Sequence, residues 1–112
     1  MKLLTAMLAG LIYTSLFFIS IAQATENHKV GQKNKEFTVK EIKIKKGDSI
    51  EFVNEDPFFH NVFSLSDASM FDLGSFPQGG SKKVVFEEAG EIEVECAIHP
   101  NMKMKVVVEE KE

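Results

Sequence analysis

The run from Glu91 to Cys96 constrains this chain most: Ile92, Val94 and Cys96 alternate with Glu91, Glu93 and Glu95. Successive side chains of a strand point to opposite faces, so strict apolar–acidic alternation fits a half-buried β-strand and not a helix. The glutamates face water, and Cys96 points inward with the apolar set. The same period returns where Met104, Val106 and Val108 alternate with Lys103, Lys105 and Val107. It also appears in Phe37 to Val39 leading into Ile42 and Ile44, and in Ile50 and Phe52. His60 to Leu65 and Lys83 to Phe86 read as further short strands. Turns fall at Lys46-Gly47-Asp48, Asn54-Glu55-Asp56-Pro57 and Glu88-Ala89-Gly90, and Ser66 to Gly80 reads as irregular. Several short strands with regular turn signals, and no convincing helical period after residue 24, indicate an all-β sandwich or barrel. If residues 97–102 join the last two strands as an antiparallel pair, Glu95 lies near Lys103 and Glu93 near Lys105, and the opposite charges support that register.

The first 24 residues have a different character. Lys2 is followed by a mostly apolar run from Leu3 to Ile21, then by Ala22-Gln23-Ala24. A short positive region, an apolar stretch and an A-x-A site together read as a secretory signal peptide cut before Thr25. If uncut, the run is long enough to anchor the chain in a membrane. Thr25 to Lys35 is polar and reads as a flexible tail, with His28 solvated, which leaves residues 36–112 as one domain.

The chain from Thr25 onward has twelve lysines against seventeen acids, a formal charge of −5, and it has no arginine. That balance argues against a nucleic-acid partner and removes the bidentate phosphate clamp. Ser64 and Ser66 have no partnered base, so no catalytic apparatus is visible and the chain does not read as an enzyme. A single cysteine in an exported chain cannot form an internal disulfide, so the thiol is paired between molecules, reactive or liganded.

Cys96, His99 and Met102 in C-A-I-H-P-N-M bring a thiolate, an imidazole and a thioether within seven residues. Soft sulfur with imidazole suits copper, and two histidines, a cysteine and a weak axial methionine make the ligand set of a blue-copper electron-transfer site. His60, in D-P-F-F-H-N-V, is the candidate second histidine. Met102, in the loop, is a better axial candidate than Met104, whose parity follows Val106 and Val108, or than Met70. Pro100 limits the freedom of the loop and removes one backbone N–H.

These residues resemble the cupredoxins, and within them the amicyanin, plastocyanin and pseudoazurin group. The resemblance rests on F-E-E-A-G-E-I-E-V-E-C-A-I-H-P-N-M-K-M-K-V-V-V-E, from Phe86 to Glu109, and on H-N-V at His60 to Val62. The short C-x-x-H-x-x-M loop is the amicyanin-like variant. The resemblance implies a Greek-key β-sandwich or barrel, with His60, Cys96 and His99 as equatorial ligands of one copper ion and Met102 as the axial one. It also implies that Asn61 links the two ligand-bearing segments and donates toward the cysteine sulfur.

Two departures stand out. Val94 and Glu95 occupy a region that is usually aromatic in the family. Ile98 stands where many members have proline, so its N–H is free to donate to the Cys96 sulfur and raise the reduction potential.

The function implied is that of a small periplasmic one-electron carrier, expected to be a monomer, serving a cytochrome or a dehydrogenase. An apolar ring of Pro57, Phe58, Phe76, Pro77 and Pro100 would surround the exposed His99 edge. A copper-delivery module is the alternative, although only three methionines follow residue 24. A metal-free interaction domain is a third reading, opposed by the complete ligand set.

Overall fold

A computed structural model describes residues 10–19 and 24–111. Residues 1–9 and 20–23 of the expected signal segment lie outside the described residues, Ala22 and Gln23 of its cleavage site among them. Among the described residues no helix is long and apolar enough to cross a membrane.

Among the described residues nine strands form two sheets: β1 (Asn27–Lys33), β2 (Glu36–Phe37), β3 (Glu41–Lys45), β4 (Ser49–Asn54), β5 (His60–Ser66), β6 (Ser69–Phe76), β7 (Ser81–Val85), β8 (Gly90–Glu95) and β9 (Lys103–Glu109). One sheet has the order β2-β1-β4-β7 and the other β3-β9-β8-β5-β6. The pairs β1/β4 and β3/β9 are parallel and the rest antiparallel. The chain passes from one sheet to the other between β2 and β3, β3 and β4, β4 and β5, β6 and β7, and β7 and β8. The all-β two-sheet expectation holds.

The period-two residues fill the space between the sheets. Ile50, Phe52, Val62, Phe86, Ile92, Val94 and Val106 are completely buried, with Val30, Cys96 and Met102 nearly so. Burial of such side chains, about 25 cal/mol per Å² of apolar surface, is the main favourable term for a domain of this size. The β8/β9 register pairs Glu93 with Lys105 and Glu95 with Lys103, as the charge pattern predicts. The ion pairs are partly diagonal: Lys103 Nζ reaches Glu95 at 3.4 Å and Glu93 at 3.5 Å, and Lys105 reaches Glu91 at 3.7 Å.

Three expectations are corrected. Residues 25–35 are not a flexible tail, because Asn27–Lys33 is β1, paired along its length with β4. Its inward positions are Val30 and the polar Gln32, both completely or almost completely buried. With one apolar residue, the strand carries no alternation that a sequence pattern could register. His28, on this strand, is half-buried rather than solvated, and its Nε2 lies 3.0 Å from Asp48 Oδ2. Ser66 to Gly80 is not irregular throughout, because Ser69–Phe76 is the edge strand β6. Its Met70 is 69 % exposed and Phe71 and Leu73 are only half-buried, so the alternation is weak.

Candidate metal centre

His60 opens β5, Cys96 follows the last residue of β8, and the loop 97–102 leads into β9. Strand parity turns Cys96 inward, where it is 1 % exposed. The loop then curls: Met102 N–H donates to His99 O at 2.9 Å, and Cys96 N–H donates to Met102 O at 3.3 Å. These bonds bring His99 back over Cys96. From the neighbouring strand of the same sheet, Asn61 Oδ1 accepts a bond from Ala97 N–H at 2.7 Å, tying the start of β5 to this loop.

Three donor atoms converge as a result. Cys96 Sγ lies 3.8 Å from His60 Nδ1 and 3.9 Å from His99 Nδ1, and the two Nδ1 atoms are 3.1 Å apart. A point in their plane lies about 2.1 Å from all three atoms, the length of a metal–imidazole bond and a little short of a metal–thiolate bond. The triangle therefore fits one ion. His60, Cys96 and His99 form one of two groups of metal-binding side chains among the described residues.

Each histidine is prepared in a different way. His60 is completely buried, and its Nε2 lies 2.7 Å from Asp56 Oδ2. A proton on Nε2 donates to that carboxylate, so the Nδ1 lone pair faces Cys96. Burial, assisted by the neighbouring His60 and Lys35, pushes the His99 pKa below the ordinary imidazole value. That shift favours the neutral ring, the form able to act as a ligand. Burial alone would raise the Asp56 pKa, but hydrogen bonds from His60, Lys35 N–H and Asn34 N–H outweigh it and hold the carboxyl below its usual range.

The three methionines after residue 24 lie in different places. Met102 is 1 % exposed, in the loop beside Cys96. Met104 points into the core from β9, opposite Val94 in register. Met70 lies exposed on β6 and is no part of the centre. The apolar ring is also reduced. Phe76 is a core residue at 3 % exposure, whereas Phe58 packs against His60 and His99 with ring centroids 5.3 and 5.4 Å away. Pro57, Pro77, Ile98 and Pro100 are exposed.

Asp56 and Asn54 escaped the sequence reading. Asn54 Nδ2 donates to Phe58 O at 2.8 Å and to Phe76 O at 3.0 Å, and its Oδ1 accepts from Asp56 N–H at 2.8 Å. It shapes the turn before His60. The signal available in the sequence is Asp56, four residues ahead of His60, inside an Asn-Glu-Asp-Pro run whose turn chemistry masks it.

Fold and site together define a β-sandwich with a buried thiolate-and-imidazole centre, the arrangement of a type 1 copper protein. The family of copper-binding proteins, plastocyanin/azurin family, matches residues 24–109, and the chain belongs to it. It is a cupredoxin, and copper is its metal. It is 35 % identical over 65 residues to the methylamine utilization protein MauL of Methylorubrum extorquens, spanning 57 % of this chain and 57 % of that protein. Amicyanin from Paracoccus versutus superposes with a TM-score of 0.68 at 26 % identity, over 74 % of this chain and 81 % of amicyanin. A copper-containing nitrite reductase from Thermus scotoductus superposes with a TM-score of 0.72 at 26 % identity, over 81 % of this chain but only 24 % of the reductase.

Proposed function

We propose that this chain is an exported type 1 copper protein that carries single electrons between periplasmic redox partners, such as a cytochrome or a dehydrogenase, and has no catalytic activity of its own. Residues 1–24 would serve as its signal peptide. The observation that carries the reading is the convergence of Cys96 Sγ and the Nδ1 atoms of His60 and His99 on one point, inside a sandwich that leaves the ligands little freedom. In this reading His60, Cys96, His99 and Met102 would hold the copper ion. Bound copper supplies the Cu(I)/Cu(II) couple.

The chain's own residues do the rest. β8 and β5 hold Cys96 and His60 in positions that cannot relax far, so a change of oxidation state brings little rearrangement. Asn61 ties the two ligand-bearing segments together, and Pro100 restrains the loop. His99 is the half-buried ligand, so its outer edge is the route by which electrons enter and leave. Phe58, packed on both imidazoles, keeps water from that side. Ile98, with an N–H where many cupredoxins have proline, would donate to the Cys96 sulfur and raise the potential.

The test is the visible spectrum of Thr25–Glu112 after one equivalent of Cu(II), followed by ascorbate. An intense thiolate-to-copper band that bleaches on reduction and returns on oxidation is the expected result. Weak absorption, or colour lost as Cys96 oxidises, would replace the carrier reading with copper delivery.

A further inference from the structure

The segment with the weakest sequence pattern reaches several residues around the metal centre. β1 and β2 form a hairpin whose tip is Asn34-Lys35. Both residues have left-handed backbones, with φ of 56° and 58°. A two-residue turn with two positive φ values is the tight hairpin connection that glycine and asparagine usually supply, so a lysine there carries a conformational cost. That conformation aims two successive backbone N–H groups at one carboxylate: Asn34 N–H donates to Asp56 Oδ1 at 2.8 Å, and Lys35 N–H to Asp56 Oδ2 at 3.0 Å.

Asp56 is 4 % exposed, and its Oδ2 also meets His60 Nε2 at 2.7 Å. The same hairpin reaches two further neighbours of the centre. Gln32 Nε2 donates to Asn61 O at 3.1 Å, and Lys35 Nζ sits 5.5 Å from the centre of the Phe58 ring.

We propose that Asp56, clamped by the β1–β2 turn, is a positioning residue that sets the reduction potential through His60. Resting on the ligand assignment above, the inference adds a charge to it. A buried carboxylate that accepts the Nε2 proton fixes the tautomer and orientation of a ligating imidazole and raises its basicity. A more basic ligand and a nearby fixed negative charge both favour Cu(II) over Cu(I). Asp56 therefore holds the potential down. The two turn amides keep the carboxylate in place, which a side chain in a free loop would not do.

The experiment compares copper-loaded wild type with Asp56→Asn and Asp56→Glu. In Asp56→Asn, Cu(II) affinity should fall by about 10- to 100-fold, with a smaller loss for Cu(I). The potential rises by about 59 mV for each tenfold by which Cu(II) loses more than Cu(I). Asp56→Glu keeps the charge and should restore most of the difference. A second readout needs no variant: by NMR of the Cu(I) protein, the His60 Nε2 proton should exchange with solvent far more slowly than that of His99.

An unchanged potential in a blue, folded Asp56→Asn protein overturns the proposal. If that variant does not fold, a His60 Nε2 proton exchanging as fast as that of His99 overturns it instead. A wild type with no reversible blue site would defeat the carrier reading and this inference together, whereas a normal wild type with an indifferent Asp56→Asn defeats this inference alone.

Discussion

The two ends of the sandwich carry the same polar unit with different consequences. At one end Asp56 accepts Asn34 N–H, Lys35 N–H and His60 Nε2. At the other Asp48 accepts Glu26 N–H at 3.0 Å, Lys45 N–H at 2.9 Å and His28 Nε2 at 3.0 Å. Both aspartates are buried, and each ties β1, or the turn that follows it, to a distant segment. The difference lies across from the histidine. His60 Nδ1 faces Cys96 and His99, whereas the group around His28 holds no sulfur ligand, and Glu26 Oε2, 3.9 Å away, approaches the same Nε2 that meets Asp48. A histidine held by an aspartate is thus a structural lock until the fold brings soft donors to its free nitrogen.

The sharpest break in this symmetry is at Cys96. Cys96→Ser should abolish the intense visible band while the sandwich persists, whereas His28→Ala should leave the band intact. Loss of colour in His28→Ala, read in the same titration, would mean that the two ends are not independent.

Copper removal should be the next largest effect. A ligand bound only by the folded state stabilises it, by about 2.7 kcal/mol at a hundredfold excess over Kd. The metal-free protein should then melt roughly 10 °C or more below the copper form by calorimetry, since about 1 kcal/mol moves the midpoint by 4–8 °C in a domain of this size. Equal midpoints would mean that the centre is not closed by the metal.

The opposite end is tested by acid. Burial works to raise the Asp48 pKa, but hydrogen bonds from Glu26 N–H, His28 and Lys45 N–H hold it below the usual carboxylate range. A carboxyl depressed in the folded state contributes stability that is fully present above its unfolded pKa of about 3.9 and is lost as pH falls through the folded value. Urea midpoints of the metal-free protein should therefore be flat in this contribution from pH 7 to 5 and fall below pH 4. Asp48→Asn should flatten the acid limb and destabilise the protein at pH 7 by about 1–3 kcal/mol. The copper spectrum should not change.

The smallest effect is expected at Ile98. Ile98→Pro removes an N–H beside the cysteine and should lower the potential slightly, by voltammetry, without bleaching the protein. An unchanged potential would show that this N–H does not reach the sulfur.

The legibility of this chain followed the range of its interactions. The inward direction of Cys96 and the β8/β9 register were readable because alternation and charge pairing lie along contiguous residues. The approach of His99 to Cys96 was readable because both fall at one short loop. β1 was missed because Gln32, a polar residue, takes an inward position that parity arguments reserve for apolar ones, and there it donates to Asn61 O. β6 was missed because an edge strand buries little on either face. Asp56 was missed because its amide partners lie 21 and 22 residues away, so the Asn-Glu-Asp-Pro run showed only its turn chemistry.

The sequence by itself proposed a donor set and determined the face on which the cysteine lies. Both follow from residue type and the two-residue repeat of an extended backbone, which are local properties. Only the tertiary structure decided that each of two histidines is held by a buried aspartate, and how His60 is brought to the thiol. Sheet order, and packing across 36 residues of chain, set the distance from Cys96 to His60. A contact of that range is created by burial of the whole core and is written in no single stretch of the chain.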